Sequence, residues 1–432
     1  MSRVLICHYH LNPGGVTRII ESQVRSLMLD SVYRDVHVIT GHCDDPSVLQ
    51  DLGANVLINE DLNYLSSDGN DYQEKYTRIR NFFTGLIRKD DILHFHNLNL
   101  GKNPLVTAVL AELAWKGHYV LNHAHDFAED RPKNLSFMKE ILEITLKKKA
   151  DHILYPQLKN YLFATLNSFD RERLISYSVD EERIILLPNP VTGEALLNGD
   201  NFKSTRQKVC EQLHINPAKI LVTYPVRVIR RKNIGELIFL ASYFEKEANW
   251  LVTQPPRNPL ELVPYLSWKK FCIENAIPVI FEAGEKTDFE GLMRSTDFCI
   301  TTSKQEGFGM AFMEPWLYGK PVIGRNISEV TRDLVSTGVE FPLLYDQLKV
   351  ESHNSIVDFS TLADEEQKQC IVELKQNKAF RTTFTKLNPF LSGMLEPVKQ
   401  ELVEHNQTIL LTEYSLENYA RRLENLYQKF TH

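Results

Sequence analysis

The chain has 432 residues, 43% hydrophobic and 24% charged, enough to bury large cores in two or three domains of about 100–200 residues each. A formal net charge of −7 excludes a general nucleic-acid binder, which needs a basic face, and no apolar run approaches the about 18 residues of a membrane-spanning helix. The six cysteines (Cys7, Cys43, Cys210, Cys272, Cys299 and Cys370) stand far apart without a C-x-x-C pair, so reduced core thiols and no zinc site are expected. No leader of signal-peptide shape precedes the first strand-like run, which points to a cytoplasmic location.

RVLICHYH opens the chain as a strand, followed by the turn LNPGG and the amphipathic VTRIIESQVRSLM. VHVIT, DILHFHN, HYVLNHAHD and DHILYP follow as short strands separated by helical patterns, and this alternation predicts a parallel sheet flanked by helices. A second series, ILVTYPVRV, NWLVTQP, PVIFEAG, DFCITTS and KPVIGR, begins after LPNPVTGEALLNGDN. The Pro/Gly-containing stretch from Pro188 to Asn201 is the expected boundary and hinge linker, giving domains at 1–195 and 196–410. From Ile327 to about Thr412 charged helices dominate, and SLENYARRLENLYQKF closes the chain as an amphipathic helix within 411–432. In open α/β sheets ligands lie beyond the carboxyl ends of the strands. The candidate residues are therefore those that follow strands.

In NPGGV, Gly14 and Gly15 permit close backbone approach to a phosphate or sugar, although a packing turn explains them equally well. The full G-x-G-x-x-G and the P-loop pattern are both missing, which speaks against a nicotinamide enzyme or an NTPase. HFHN ends a strand with His94, His96 and Asn97, and HAHD ends another with His123 and His125. Alternation along a strand is expected to turn at most one histidine of each pair toward a site, so no metal is expected there. RVIRRKN sets Arg227, Arg230, Arg231 and Lys232 between a strand and a helix, where a diphosphate fits; a solvated basic helix start is the plain alternative. SKQEGFGMAFMEPW places Glu306 and Glu314 eight positions apart around Gly307 and Gly309, with Met310 opening a helix. No D-x-D occurs to hold a divalent cation against a diphosphate.

The order NPGGVTRIIESQ, HFHN, HAHD, LPNPV, RVIRRK and SKQEGFGMAFMEPWLYGKPVIG resembles the family-4 group of retaining glycosyltransferases over most of residues 1–330. The resemblance implies an α/β GT-B fold: two doubly wound Rossmann-like domains facing across a cleft, the terminal helix packing back on the first. It implies that Arg227 and Lys232 hold the donor diphosphate and that Glu306 with the backbone of Phe308, Gly309 and Met310 holds the transferred sugar. Glu314 would take the ribose hydroxyls, His125 would meet the sugar, and Asn189 of LPNPV would join the donor site. Gly14, Gly15, His96 and Asn97 would lie on the acceptor or phosphate side. Val226 stands where the group usually has a glycine before the phosphate-binding arginine.

The expected activity is transfer of a hexose from a nucleotide-sugar of the UDP-glucose or GDP-mannose type, with retention and without a metal or other cofactor. Lys102 and Arg131, each shortly after a strand of the first half, suggest a small soluble hydroxylated acceptor carrying a carboxylate or phosphate; a neutral sugar is the alternative. A nucleotide-sugar epimerase of the same fold and a non-catalytic nucleotide-sugar-binding protein are the competing functions. Neither a nucleic-acid partner nor integral membrane association is expected.

Overall fold

The computed structural model describes residues 3–30, 32–67, 69, 71–191 and 202–430. The chain divides into two compact units, Met1–Pro190 with Tyr414–His432, and Val191–Glu413. The expected linker, Pro188 to Asn201, falls outside the described residues from 192 to 201.

The first unit is built on a seven-stranded parallel sheet in the order β3-β2-β1-β4-β5-β6-β7. Its strands are β1 Val4–His8, β2 Val36–Thr40, β3 Asn55–Ile58, β4 Ile92–His96, β5 Tyr119–Ala124, β6 Tyr161–Thr165 and β7 Ile184–Leu186. β1 and β4 are buried at every position, as strands covered by helices on both faces must be. The period of two divides their side chains. Leu5, Cys7 and Phe95 pack with the helices Tyr72–Leu86 and Pro104–Trp115, while Val4, Ile6 and Ile92 pack with Ile20, Val24 and Leu27 of the helix Gly15–Asp30. The terminal helix Leu416–Gln428 adds Tyr419, Leu423, Leu426 and Tyr427 to that second face. Ser415 caps it by accepting from the Asn418 amide, and Glu424 accepts from the Val32 amide.

The second unit has a six-stranded parallel sheet, β10-β9-β8-β11-β12-β13. These strands are β8 Ile220–Arg227, β9 Ala248–Gln254, β10 Val279–Ile280, β11 Phe298–Thr301, β12 Val322–Arg325 and β13 Leu344–Tyr345. In each sheet the strand order reverses beside the first strand, between β1 and β4 and between β8 and β11. A ligand crevice opens at such a reversal, so it selects the loops to examine in each unit.

Two expectations need correction, and a third, that helices dominate residues 327–412, holds with an addition. DHILYP is a helix, Ala150–Leu154, and the strand of that region is Tyr161–Thr165; short apolar runs serve either state, and only the sheet decides. The segment from Met310 is a 3₁₀ turn, Met310–Phe312, followed by a single-turn helix, Glu314–Leu317, because Gly309 is left-handed and Pro315 begins the helix anew. Residues 327–412 hold helices but also β13 and an antiparallel hairpin, Lys349–Ser352 with Ser355–Asp358, turned by His353 and Asn354 at positive φ.

Candidate functional site

In the second unit the crevice residues come from the loops after β8 and β11. β8 is irregular at its end: a register shift against β9 falls between Tyr224 and Arg227, the stretch that contains Pro225 and Val226. The chain then makes a 3₁₀ turn, Arg230–Lys232, and passes through Asn233 at φ 49° into the helix Ile234–Tyr243. Tyr224 pins the turn from below. Its hydroxyl donates to the Lys232 carbonyl at 2.9 Å and bonds the Ser303 hydroxyl at 2.9 Å, while Thr302 donates to the carbonyls of Lys232 and Asn233. The Lys304 amide donates to the Arg231 carbonyl at 2.8 Å, closing the two loops on each other.

These constraints bring together charges far apart in sequence. Lys232 Nζ pairs with Glu306 Oε1, and Arg231 Nη1 lies 3.0 Å from Glu306 Oε2. Both side chains of the Lys232–Glu306 pair are buried. Burial would raise the Glu306 pKa, but Lys232 and Arg231 outweigh it and hold the carboxyl below its ordinary value, so it is ionised. Arg227 differs. Its Nε is buried without a partner, its Nη2 has only a 3.4 Å bond to Gln254, and no carboxylate pairs with it among the described residues. Burial and the nearby Arg257 lower its pKa, the mark of a cation lacking its counter-charge.

Gly309 sits at φ 88°, where a Cβ would fall 2.1 Å from Val330 Cγ1. Gly307 instead faces open space. Phe308, Met310 and Glu314 are half-buried around this turn. Below it, Arg325 makes paired bonds to Glu236 and to Asp358, and Tyr345 donates to Glu236 at 2.7 Å, anchoring the helix that follows Lys232 to β12 and the hairpin.

In the first unit Gly14 and Gly15 are exposed where the helix Gly15–Asp30 begins, and a Cβ on Gly15 would meet nothing within 4 Å. Asn97 adopts φ 71° and its Oδ1 accepts from the amides of His125 and Asp126 at 2.8 and 3.0 Å, clamping the end of β5. The expectation of one usable histidine per pair fails, because residues two apart on a strand share a face. His94 and His96 stack with ring centroids 4.8 Å apart, and His123 and His125 lie 4.2 Å apart. His94 Nε2 meets His123 Nδ1 at 3.2 Å, and His96 Nδ1 meets His125 Nε2 at 2.8 Å. Gln23 and Tyr427 complete this array. His94, His96 and His123 are the group with metal-ligating spacing among the described residues, their nitrogens within 4.8 Å of one another.

Lys102 lies 5.7 Å from the Tyr64 ring, which in turn packs against Tyr9 and His10. Arg131 is not a lone cation: it pairs with Asp126 at 2.8 Å. Asn189 is buried, and its Oδ1 has no partner among the described residues.

No protein-family model matches the chain. It is 28% identical over 352 residues to mannosylglucosyl-3-phosphoglycerate synthase of Petrotoga mobilis, covering 76% of this chain and 66% of that relative, just under two thirds. Among solved structures it matches HepE of Anabaena in complex with UDP and glucose at a TM-score of 0.62, with 15% identity over 98% of this chain and 99% of that one. Sucrose-phosphate synthase of Thermosynechococcus elongatus matches at 0.61, with 14% identity over 100% and 99%. The chain has the GT-B glycosyltransferase fold. Its sequence relative is a glycosyltransferase, as are HepE and sucrose-phosphate synthase among its structural neighbours.

Several residues of this GT-B chain escaped sequence reading. Gln23 interrupts the apolar stripe Val16, Ile19, Ile20, Val24 and Leu27, and a polar residue in a buried face was the signal that could have found it. Tyr224 and Ser303 carried no such signal, because a tyrosine in a strand and a serine after one are commonplace. Arg231 was one of four neighbouring cations, and its partner Glu306 lies 75 positions away.

Proposed function

We propose that the transferase activity of this chain moves a hexose from a nucleotide-sugar to a hydroxyl of a small anionic acceptor, with retention and without a metal. The observation that carries the reading is the charge arrangement after β8 and β11: Lys232 is paired to a buried, ionised Glu306, while Arg227 at the end of β8 has no carboxylate partner among the described residues. Breaking an anomeric bond builds negative charge on the departing diphosphate, and preorganised cations lower that barrier. Arg227 is the first candidate for the leaving group, and Lys232 is held in reach by Glu306. Glu306, with one cation on each oxygen, keeps its charge for hydroxyl hydrogens of the sugar. Glu314 takes the ribose, and His125 meets the transferred sugar. The acceptor's proton passes to a diphosphate oxygen, so no protein nucleophile is needed and the two glutamates are not a hydrolase pair.

The acceptor reading rests on Lys102, Tyr64 and His10, with the exposed Gly14 and Gly15 following His10 in sequence. The relative's named product contains phosphoglycerate, which bears a phosphate and a carboxylate, and this supports an anionic acceptor. HepE is bound to UDP-glucose in another of its structures, which supports the donor class. No helix among the described residues is long and apolar enough to cross a membrane.

The test is to incubate the protein with UDP-glucose and GDP-mannose, alone and with phosphoglycerate-type, neutral-sugar and lipid-linked acceptors, and to measure nucleoside diphosphate release. Acceptor-dependent release that persists in chelator is expected. Conversion of the donor to an epimer without release, or binding without turnover, would establish a competing function. Glycosylation of lipid-linked acceptors alone would overturn the soluble-acceptor assignment.

A further inference from the structure

Gln23 is wholly buried on the sheet-facing side of its helix. Its amide nitrogen lies 2.7 Å from His94 Nδ1 and 2.9 Å from the Tyr427 hydroxyl, and its amide oxygen lies 2.9 Å from His96 Nε2. An amide nitrogen donates and an amide oxygen accepts. His94 Nδ1 is therefore a bare acceptor, and His96 carries its proton on Nε2. Burial keeps these rings neutral at physiological pH, and a neutral imidazole has a single N–H. His96 Nδ1 must then accept, and its partner at 2.8 Å is His125 Nε2. That nitrogen holds the one proton of the His125 ring, which leaves His125 Nδ1 as a lone pair. The other branch runs the same way: His94 Nε2 donates to His123 Nδ1, and His123 Nε2 ends the chain with no partner among the described residues.

We propose that Gln23 is a positioning residue whose amide sets the tautomer of His125 through His96, so that His125 presents Nδ1 as an acceptor for a substrate hydroxyl. The proposal rests on the reading of His125 as facing the transferred sugar. It gives the buried histidines a purpose that packing alone does not require: a directed string of hydrogen bonds from the terminal helix, through Tyr427 and Gln23, to the end of β5. Turning the Gln23 amide over would reverse every N–H in both branches and make His125 Nδ1 a donor. The two states thus present opposite hydrogen-bonding faces to a ligand.

Nitrogen-15 spectra of the histidine rings in the full-length protein decide between them, with His125 assigned by its loss in His125→Gln. A pyridine-type Nδ1 and a pyrrole-type Nε2 are expected for His125 in the unsubstituted protein, and mixed tautomers in Gln23→Met. Donor turnover in Gln23→Met should fall about two- to tenfold, the worth of one hydrogen bond between neutral partners, and the same change in a His125→Gln background should have no further effect. A pyrrole-type Nδ1 in the unsubstituted protein, or an unchanged His125 tautomer in Gln23→Met, would overturn the proposal. Should Gln23→Met not fold, Gln23→Ala is read the same way, and the unsubstituted spectrum still decides the direction of the chain. If no nucleotide-sugar is turned over but the tautomers are as stated, the functional reading fails and the tautomer assignment stands.

Discussion

Gly309 and Gly307 flank Phe308 in one loop yet face different demands. Gly309→Ala must hold a side chain at φ 88° and drive it into Val330, so left-handed strain of about 1–2 kcal/mol and overpacking of about 1–3 kcal/mol add. Thermal unfolding of the second unit should drop accordingly, whereas Gly307→Ala, in open space, should leave stability within about 0.5 kcal/mol. Equal melting temperatures for the two variants would contradict this geometry. For the cations, Arg227→Ala and Lys232→Ala should each cut turnover by roughly 10²–10³, the scale for removing a preorganised charge-stabilising donor. Single-turnover rates check this, and undiminished rates in both variants would falsify the diphosphate role. Both cations stood out in the sequence because four crowd one strand end. That Lys232 is pinned by Glu306 and Arg227 is not could not be read there, because their partners come from β9 and the loop after β11.

At the scale of elements, the terminal helix is the piece whose placement matters most. Its buried face, Tyr419, Leu423, Leu426 and Tyr427 with Phe430 just beyond, covers Ile20, Val24 and Leu27. At about 1.5–3 kcal/mol for each buried side chain, losing it removes on the order of 10 kcal/mol, as much as a whole domain's net stability. Truncation after Glu413 should therefore give an insoluble or protease-sensitive first unit, as limited proteolysis will show. A soluble fragment of unchanged protease resistance would refute the docking. The amphipathic pattern announced the helix plainly, but periodicity specifies an apolar face and not what it covers. The same limit explains DHILYP, whose apolar run suits a buried helix and a central strand alike.

For the whole molecule, the buried imidazoles couple stability to pH. Burial lowers the pKa of His94 to about 3 and of His8 to about 4, and pushes His96 and His123 well below the ordinary value. In the unfolded chain each returns to about 6.5, so below that pH the unfolded state binds more protons and stability falls as pH falls. Four such groups cost roughly 5 kcal/mol per pH unit between about pH 6 and 4. The urea midpoint of the first unit should drop steeply from pH 7.5 to 5.5, with the second unit less affected; identical midpoints would exclude neutral buried histidines. The sequence by itself determined the α/β class, most strands and the GT-B resemblance, because strand burial, helix amphipathicity and glycine turns are local consequences of residue type and spacing. Only the tertiary structure decided which histidines meet, which carboxylate holds which cation and which side chains the last helix covers, because these depend on strand order, and strand order joins residues that share no local signal.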